Sequence, residues 1–378
     1  MDSDYLLLTP GPLSTTPGVR NAMNRDVSTW DTEYNAVVQN IRQRLVKIAT
    51  DSADCSSVLM QGSGTFGVEA TIGSAVPPGG ELLVVSNGAY GARMLKIADR
   101  LGIQSIPAHF DETQPADPAE IATLLQAHPG VTHVAAVHCE TTSGMLNPVE
   151  AIGDVVAKAG RSFIVDAMSS FGGYPMSLES LSADYVISSA NKCIQGVPGF
   201  SFVVARTAAL EATAGRARSL SLDLHDQWQE METHDGKWRF TSPTHTVLAF
   251  AQAIDELDAE GGVAARFARY TDNQARLVAG MQKIGFRTLL PGGLQSPIIT
   301  SFHDPVSDFD FQRFYNELKQ RGFVIYPGKV TKSNTFRIGT IGDIHPADID
   351  RLLVAVSEVS TQMSFFTSPA PPTTGPGE

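Results

Sequence analysis

Cysteine is scarce in this chain of 378 residues, and positive charge is in deficit. The three cysteines, at positions 55, 139 and 193, are an odd number and lie far apart, so we expect neither a disulfide framework nor a paired-cysteine zinc site. Twenty-eight lysines and arginines against 40 acidic residues give a net charge of −12. Nucleic acids and anionic membranes bind basic surfaces, so neither is a predicted partner.

Long apolar runs and metal-binding histidine patterns are also missing. No run approaches the roughly 20 apolar residues that cross a bilayer, and the N-terminus MDSDYLLLTPGP has acidic residues where a signal peptide carries positive charge. The nine histidines are scattered and include no HExxH motif, so no metal site is predicted. Together these features predict a cytoplasmic protein.

What the sequence does contain is a repeated alternation of short apolar runs and longer stretches of helical spacing. This alternation is typical of βα units and a mostly parallel sheet. Strands are predicted at 57–60, 81–86, 103–108, 132–138, 162–166, 185–188 and 200–205, and helices near 66–75, 90–101, 117–128 and 148–160. The pattern predicts an α/β fold.

The chain divides into four predicted regions. An N-terminal segment (1–16) precedes a large α/β domain (17–255) and a smaller α+β domain (256–366). Within 244–285 the spacing is helical with a break at Gly261-Gly262, and a helix at 308–321 and a final helix from Pro346 follow. Residues 367–378 contain four prolines and no large apolar side chain, so a disordered tail is predicted.

A glycine-rich loop, Gly62–Gly67 (GSGTFG), follows the first predicted strand and opens a helix. Its GxGxxG spacing is that of nicotinamide-dehydrogenase loops, but the next strand ends in Ser-Asn, where such enzymes need an acid for the ribose. Alternatively, backbone N–H groups of Gly64, Thr65 and Phe66 bind a single phosphate at the helix N-terminus. A plain turn is the third interpretation.

Two later strands carry ionisable side chains to their C-terminal ends, where open α/β sheets bind ligands. Asp166 ends SFIVD, and Lys192 follows DYVISSAN. An aspartate there can also cap a turn, but an unpaired ammonium directly after a buried strand is costly. With the Gly64-Thr65 turn they supply what pyridoxal phosphate needs: an amine for its aldehyde, a carboxylate for its ring nitrogen and a phosphate cup.

Seven segments support a family resemblance: TPGPLSTTP, QGSGTFGVEA, SNGAYGARM, HCETTSGMLNP, FIVDAMSSFGG, SSANKCIQGVPGF and FRIGTIG. In this order they resemble the class V aminotransferases of fold-type I over nearly the whole chain except the tail. The resemblance implies a pyridoxal phosphate enzyme whose large domain has a mostly parallel sheet between helices. It is strongest to members that transfer the amino group of 2-aminoethylphosphonate to pyruvate in phosphonate degradation. Members that use alanine or serine with glyoxylate or pyruvate share the layout and remain the alternative.

The resemblance also implies roles for single residues. Lys192 binds the cofactor covalently and Asp166 pairs with its ring nitrogen. The other cofactor-binding positions implied are Gly64, Thr65 and Asn191 at the phosphate, Tyr90 stacked on the ring and Thr142 near the ring oxygen. Simpler interpretations are helix packing for Tyr90 and a turn for Thr142.

Three further positions concern the substrate and a partner subunit. Arg337 is implied to bind the acidic group of the substrate, although an arginine in a strand can also extend to solvent. Ser14 is implied to lie near the substrate entrance. Thr241, otherwise a turn residue, is implied to reach the phosphate in the neighbouring subunit, and a homodimer with shared active sites follows.

Two other possibilities are weighed against this reading. Cys193, beside Lys192, has no base that the sequence assigns to it and is better explained as a small buried apolar side chain. A catalytically silent relative that only binds a partner is disfavoured because each chemical group is present.

Overall fold

The computed structural model describes residues 5–366, so the tail predicted at 367–378 lies outside the described residues. The strands are β1 (Leu6–Leu7), β2 (Cys55–Gln61), β3 (Glu81–Ser86), β4 (Ser105–His109), β5 (Val131–Val137), β6 (Cys139–Glu140), β7 (Met145–Leu146), β8 (Ser162–Asp166), β9 (Tyr185–Ser189), β10 (Phe200–Arg206), β11 (Ile299–His303), β12 (Phe323–Val324), β13 (Tyr326–Pro327) and β14 (Thr335–Gly339).

The helices are α1 (Pro17–Asn21), α2 (Thr32–Ala49), α3 (Gly64–Ala75), α4 (Ala89–Arg100), α5 (Pro118–Ala127), α6 (Val149–Lys158), α7 (Thr207–Glu211), α8 (Leu224–Thr233), α9 (Thr244–Glu260), α10 (Gly262–Ile284), α11 (Phe311–Gln320) and α12 (Pro346–Gln362). Helices α2 and α8 are not among the predicted elements. None of the helices in the described part combines the length and apolar character needed to cross a bilayer.

A seven-stranded sheet forms the centre of the large domain, in the order β2-β10-β9-β8-β5-β3-β4. Only β10 runs antiparallel to its neighbours, so the predicted mostly parallel sheet is confirmed. All five residues of β9 are buried. Because consecutive strand residues point to opposite faces, the sheet is covered on both sides, which explains why its strands are continuous apolar runs.

The sheet topology brings the chemically important chain segments to one edge. Strands β8 and β9 are parallel, so Asp166 and the Asn191-Lys192 turn emerge on the same side. Strands β2 and β9 are both antiparallel to β10 and hence parallel to each other, which places the glycine loop at that side too. The N–H of Gly62 donates to the carbonyl of Gly199 at 3.0 Å and holds the loop against β10.

A second apolar core lies in the C-terminal part of the chain. Strands β11, β14 and β13 form an antiparallel sheet, and β1 pairs in parallel with β12. Phenylalanines 286, 302, 314 and 336 are completely buried there. The helix predicted at 308–321 is α11, and the final helix begins at Pro346 as predicted. The proposed domain boundary at 255/256 falls inside α9, and the domain division remains a prediction.

Candidate active site

A cavity of about 360 Å³ opens at the edge of the sheet where β8 and β9 end. This volume lies in the range of small-molecule sites. The polar and aromatic residues that line it are Ser63, Thr65, Tyr90, Arg93, Asp166, Ser169, Ser189, Asn191, Lys192, Tyr326 and Lys329, and Gly64 lines it as well. Five of the predicted site residues besides Gly64 therefore meet at one cavity: Thr65, Tyr90, Asp166, Asn191 and Lys192.

The glycine loop forms the start of α3. Ser63 is the N-cap residue, and its hydroxyl makes no capping hydrogen bond. A Cβ atom at Gly64 would lie 2.2 Å from the sulfur of Met168, so a larger residue would have to displace the methionine side chain. Gly64 and Thr65 thus place the first turn of a helix, whose N–H groups lack intrahelical partners, at the cavity wall.

Phe66 differs from its predicted role. Its N–H donates to the carbonyl of Ser63 at 2.8 Å, so this donor already has a partner. Its ring is half-exposed and lines a separate apolar cavity with Trp238 and Phe240. The prediction treated all first-turn N–H groups alike, whereas the turn closes on itself at this position.

Asp166 is buried and Lys192 is half-buried at the cavity. Asp166 accepts the N–H of Met168 at 2.9 Å, has no ion-pair partner among residues 5–366, and burial raises its pKa to about 6. Lys192 donates to the carbonyl of Pro10 at 2.8 Å, and burial lowers its pKa from the ordinary value. The lysine is more readily neutral than usual, which a nucleophile or base requires, and the carboxyl lacks a cation.

Tyr90 is held at the cavity by a buried acid that the sequence analysis missed. Glu140 accepts the N–H of Tyr90 at 3.2 Å, and burial raises the pKa of its carboxyl. A Cβ atom at Gly88 would lie 2.4 Å from this carboxyl group, so the approach requires glycine. The sequence does mark Glu140 as a candidate site residue, because it is an acid at the end of the apolar run that leads into HCETTSG.

Thr142 is not brought to the cavity. It is completely buried, and its hydroxyl donates to Glu140 at 2.6 Å. The neighbouring Thr141 makes the contact with the site instead, since its hydroxyl lies 3.3 Å from that of Tyr90. Sequence alone does not distinguish two adjacent threonines in a short turn.

Arg337 on β14 is only 2% exposed, so it does not extend to solvent. Its Nε donates to the carbonyl of Pro327 at 2.9 Å and its Nη1 to the carbonyl of Thr141 at 2.7 Å. Its guanidinium lies over the ring of Tyr326, 5.1 Å from the ring centre. Within the described chain no carboxylate forms an ion pair with it, and burial lowers its pKa. A buried cation without an anion is suited to an acidic ligand.

The remaining predicted positions have different surroundings. Asn191 lines the cavity and accepts the hydroxyl of Ser189 at 3.1 Å, which orients its amide. The Ser14 hydroxyl accepts the N–H of Leu7 at 2.8 Å, so it ties down the N-terminal segment and does not line the cavity. Thr241 is exposed beside Phe240 and lies outside this cavity.

Two cations at the cavity were not predicted. Arg93 lies one turn after Tyr90 on α4, with its guanidinium 4.9 Å from the centre of that ring. It donates to the hydroxyl of Thr65 at 3.1 Å. Lys329 lies 5.5 Å from the centre of the same ring. The i, i+3 spacing of Tyr90 and Arg93 was readable from the sequence, but the approach of Lys329 was not.

Comparison with known proteins agrees with this geometry. The family described as aminotransferase class V matches residues 18–341. The 2-aminoethylphosphonate–pyruvate transaminase of Syntrophobacter fumaroxidans is 62% identical over 358 residues, 94% of this chain and 96% of the relative. The transaminase of that name from Vibrio vulnificus is 58% identical over 360 residues, which are 95% of this chain and 98% of the relative.

A solved structure shows the fold. Pyridoxamine-pyruvate aminotransferase from Mesorhizobium loti superposes with a TM-score of 0.87 at 24% identity, covering 96% of this chain and 93% of that one. The fold is that of the fold-type I enzymes, as the resemblance predicted. By its sequence over most of its length, this chain belongs to the class V aminotransferase family.

Proposed function

We propose that this chain transfers the amino group of 2-aminoethylphosphonate to pyruvate and releases phosphonoacetaldehyde and L-alanine, with pyridoxal phosphate as cofactor. The observation that carries the proposal is that Lys192 and Asp166 line one cavity, and that Arg337 is buried and forms no ion pair with a carboxylate among residues 5–366. The activity for which the two relatives are named supports these substrates. They favour them over the alanine- or serine-dependent alternative and over the nicotinamide dehydrogenase.

The cavity residues fit pyridoxal phosphate. Gly64, where a Cβ atom would strike Met168, leaves room for a phosphate beside the N–H groups of the helix start. The buried carboxyl of Asp166 lacks a cation, and a protonated ring nitrogen would supply one. Thr65 and Asn191 would hold the phosphate with Gly64, Tyr90 would stack on the ring and Lys192 would bind the aldehyde.

Each protein group then has a defined task. When bound, the cofactor supplies a ring that accepts the electron pair released as the C–H bond of the donor breaks. The Nζ atom of Lys192 takes the proton from the donor carbon that bears nitrogen, and its lowered pKa keeps it neutral enough to do so. Asp166 would keep the ring nitrogen of the cofactor protonated, and Arg337 binds the acidic group of each substrate in turn.

A homodimer with shared active sites is part of the proposal. Thr241 is exposed and lies outside the cavity of its own chain. Several large apolar side chains are exposed, namely Trp30, Phe66, Leu220 and Phe240. Phe66 and Phe240 line one cavity beside Thr241, and an apolar surface of this kind is typical of protein–protein contacts. In the proposed dimer a second copy covers this surface and Thr241 reaches the phosphate of that copy.

The visible spectrum tests the proposed function. We expect the purified protein with pyridoxal phosphate to show the band of a lysine-bound cofactor, and 2-aminoethylphosphonate without pyruvate to convert that band to the amine form. Conversion by alanine or serine but not by the phosphonate would move the function to the alternative substrates. The absence of any band would return the dehydrogenase and the silent relative to consideration.

Replacing Arg337 with lysine should raise the Michaelis constants of both substrates by at least about tenfold. The planar guanidinium of Arg337 can donate to the carbonyls of Pro327 and Thr141 and to an anion at the same time. A lysine ammonium keeps the charge but cannot reproduce this arrangement of donors. Steady-state kinetics with each substrate varied in turn measures the effect. An unchanged constant for either substrate would remove Arg337 from that half of the reaction.

A further inference from the structure

Three cations surround Tyr90 without a carboxylate partner in the described part of the chain: Arg93, Lys329 and Arg337. Arg93 and Lys329 lie over its ring, and the hydroxyl of Thr141 links Tyr90 to the carbonyl that anchors Arg337. Glu140 acts electrostatically on Lys329 and Arg337, but its hydrogen bonds are to Thr142 and the N–H of Tyr90, and burial raises its pKa. The site therefore carries more positive charge than its own residues neutralise.

Lys329 is fixed beside Arg337 by the backbone between them. Tyr326 lies under the guanidinium of Arg337, and the carbonyl of Pro327 accepts from it. At Gly328 a Cβ atom would lie 1.9 Å from the carbonyl oxygen of Thr335, so this segment packs against β14 more closely than any other residue permits. Consequently Lys329 lines the cavity although it belongs to a loop and remains exposed to solvent.

The two cations over Tyr90 have different partners. Arg93 donates to the hydroxyl of Thr65, which places it beside the proposed cofactor phosphate. The ammonium of Lys329 donates to no residue among 5–366. Burial, and then the positive charges of Arg93 and Arg337, lower its pKa. Lys329 is thus the cation left for a second charge on the substrate.

The substrates differ in charge. A carboxylate has one charge and two oxygens, which one guanidinium satisfies. A phosphonate has three oxygens and, like a phosphate ester, can lose a second proton and carry two charges. Because carbon withdraws fewer electrons than an ester oxygen, the doubly charged phosphonate forms at a more alkaline pH than the doubly charged ester, and the binding comparison is made at that pH. Two N–H groups of Arg337 already bond to protein carbonyls. A phosphonate held by Arg337 alone would leave an oxygen and about one charge without a partner, at a cost that a second cation removes.

We propose that Lys329 is a second cation for the acidic group of the amino donor, and that it makes the site prefer a doubly charged phosphonate to a singly charged carboxylate. This inference rests on the proposed function. It assigns a specificity-determining role to a loop residue that the family resemblance does not mark. Arg337 binds the acidic group of both substrates, and Lys329 binds only that of the phosphonate.

The test measures binding of two unreactive analogues, ethylphosphonate and propionate, to the cofactor-loaded enzyme by calorimetry. We expect Lys329→Met to weaken ethylphosphonate about ten- to a hundredfold, the effect of one charge-assisted hydrogen bond, and to change propionate less than about threefold. Lys329→Arg should recover most of the affinity. The matched control is Lys332→Met, since Lys332 belongs to the same loop but does not line the cavity and is paired with Asp111.

The outcomes separate the two proposals. Equal losses for both analogues, or no loss for ethylphosphonate, would overturn the role of Lys329. So would a wild-type enzyme that binds ethylphosphonate no better than propionate. Failure of the wild type to convert 2-aminoethylphosphonate would overturn the proposed function, while the binding comparison would still decide the role of Lys329. In the kinetics of the active enzyme, the Michaelis constant for the phosphonate should rise in Lys329→Met and that for pyruvate should not.

Discussion

Replacing Lys192 with alanine is expected to lower turnover at least about ten-thousandfold and to leave the fold intact. A positioned general base contributes up to about 10⁴ in rate, and the same change removes the amine that binds the cofactor covalently. The fold should survive because a buried ammonium is costly, as the lowered pKa of Lys192 shows, and its hydrogen bond in the described chain is the one to the carbonyl of Pro10.

Borohydride reduction followed by intact mass measurement checks the assignment independently of activity. In the wild type, reduction should fix the cofactor to the chain, whereas Lys192→Ala should keep its unmodified mass. Lys283→Ala is the control, since this exposed lysine on α10 is remote from the cavity lining. A variant that still gains the mass of the cofactor, or that retains substantial turnover, would show that another lysine holds the cofactor.

Replacing Asp166 with asparagine should lower turnover about a thousandfold. Asparagine keeps the acceptor for the N–H of Met168 but removes the negative charge that would face the ring nitrogen. An ion pair at about 4 Å with an effective dielectric constant of about 20 is worth about 4 kcal/mol, which corresponds to about a thousandfold in rate. Asp154→Asn on the exposed side of α6 is the matched control.

The same substitution should reveal the burial of Asp166 in the cofactor-free protein. Burial raises the pKa of this carboxyl from 3.8 to about 6 in the folded chain. Between these two values the unfolded chain loses its proton first, so the wild type loses stability as pH rises, by up to about 3 kcal/mol, and the loss is complete above pH 6. Asparagine does not titrate, so any change that it makes to the unfolding free energy is the same at every pH. This change therefore cancels when the variant and the wild type are compared at two pH values.

Urea unfolding of the cofactor-free wild type and of Asp166→Asn at pH 4 and pH 7 measures this effect. Relative to the wild type, the variant should have a higher unfolding free energy at pH 7 than at pH 4. If the difference in unfolding free energy between the two proteins does not depend on pH, the Asp166 carboxyl titrates near its ordinary pKa. Burial would then not disfavour its charged form.

The sequence predicted the central sheet well because the information is local. The inner strands of the large sheet are buried on both faces, so each is a short apolar run that can be recognised without knowledge of its neighbours. The edge strand β4 instead alternates between buried and exposed residues. The predicted strand ends lie within two residues of those observed. Helix α2 lies before residue 57, where the alternation of apolar runs and helical spacing begins, so the alternation did not predict it. Its start is nevertheless marked by Asp31, which accepts the N–H of Glu33 as the N-cap.

The placement of Asp166 and Lys192 also followed from the sequence, since parallel strands end at one edge of a sheet. Their roles remain proposals for the experiments above to decide. Phe66 and Thr142 show the limit of this reasoning. Whether a backbone N–H or a hydroxyl is available depends on the partner that the fold provides, and these two donate to Ser63 and to Glu140.

By itself, then, the sequence determined the strands of the central sheet, the α/β class and the candidates Asp166 and Lys192 at strand ends. Only the tertiary structure decided what surrounds them. Arg337 bonds to a carbonyl 196 positions earlier, and Lys192 to one 182 positions earlier. Such contacts have no local periodicity to reveal them, because they arise when separate elements close around one cavity. The approach of Lys329 to Tyr90 is of this kind, and it therefore needed the folded chain to be seen.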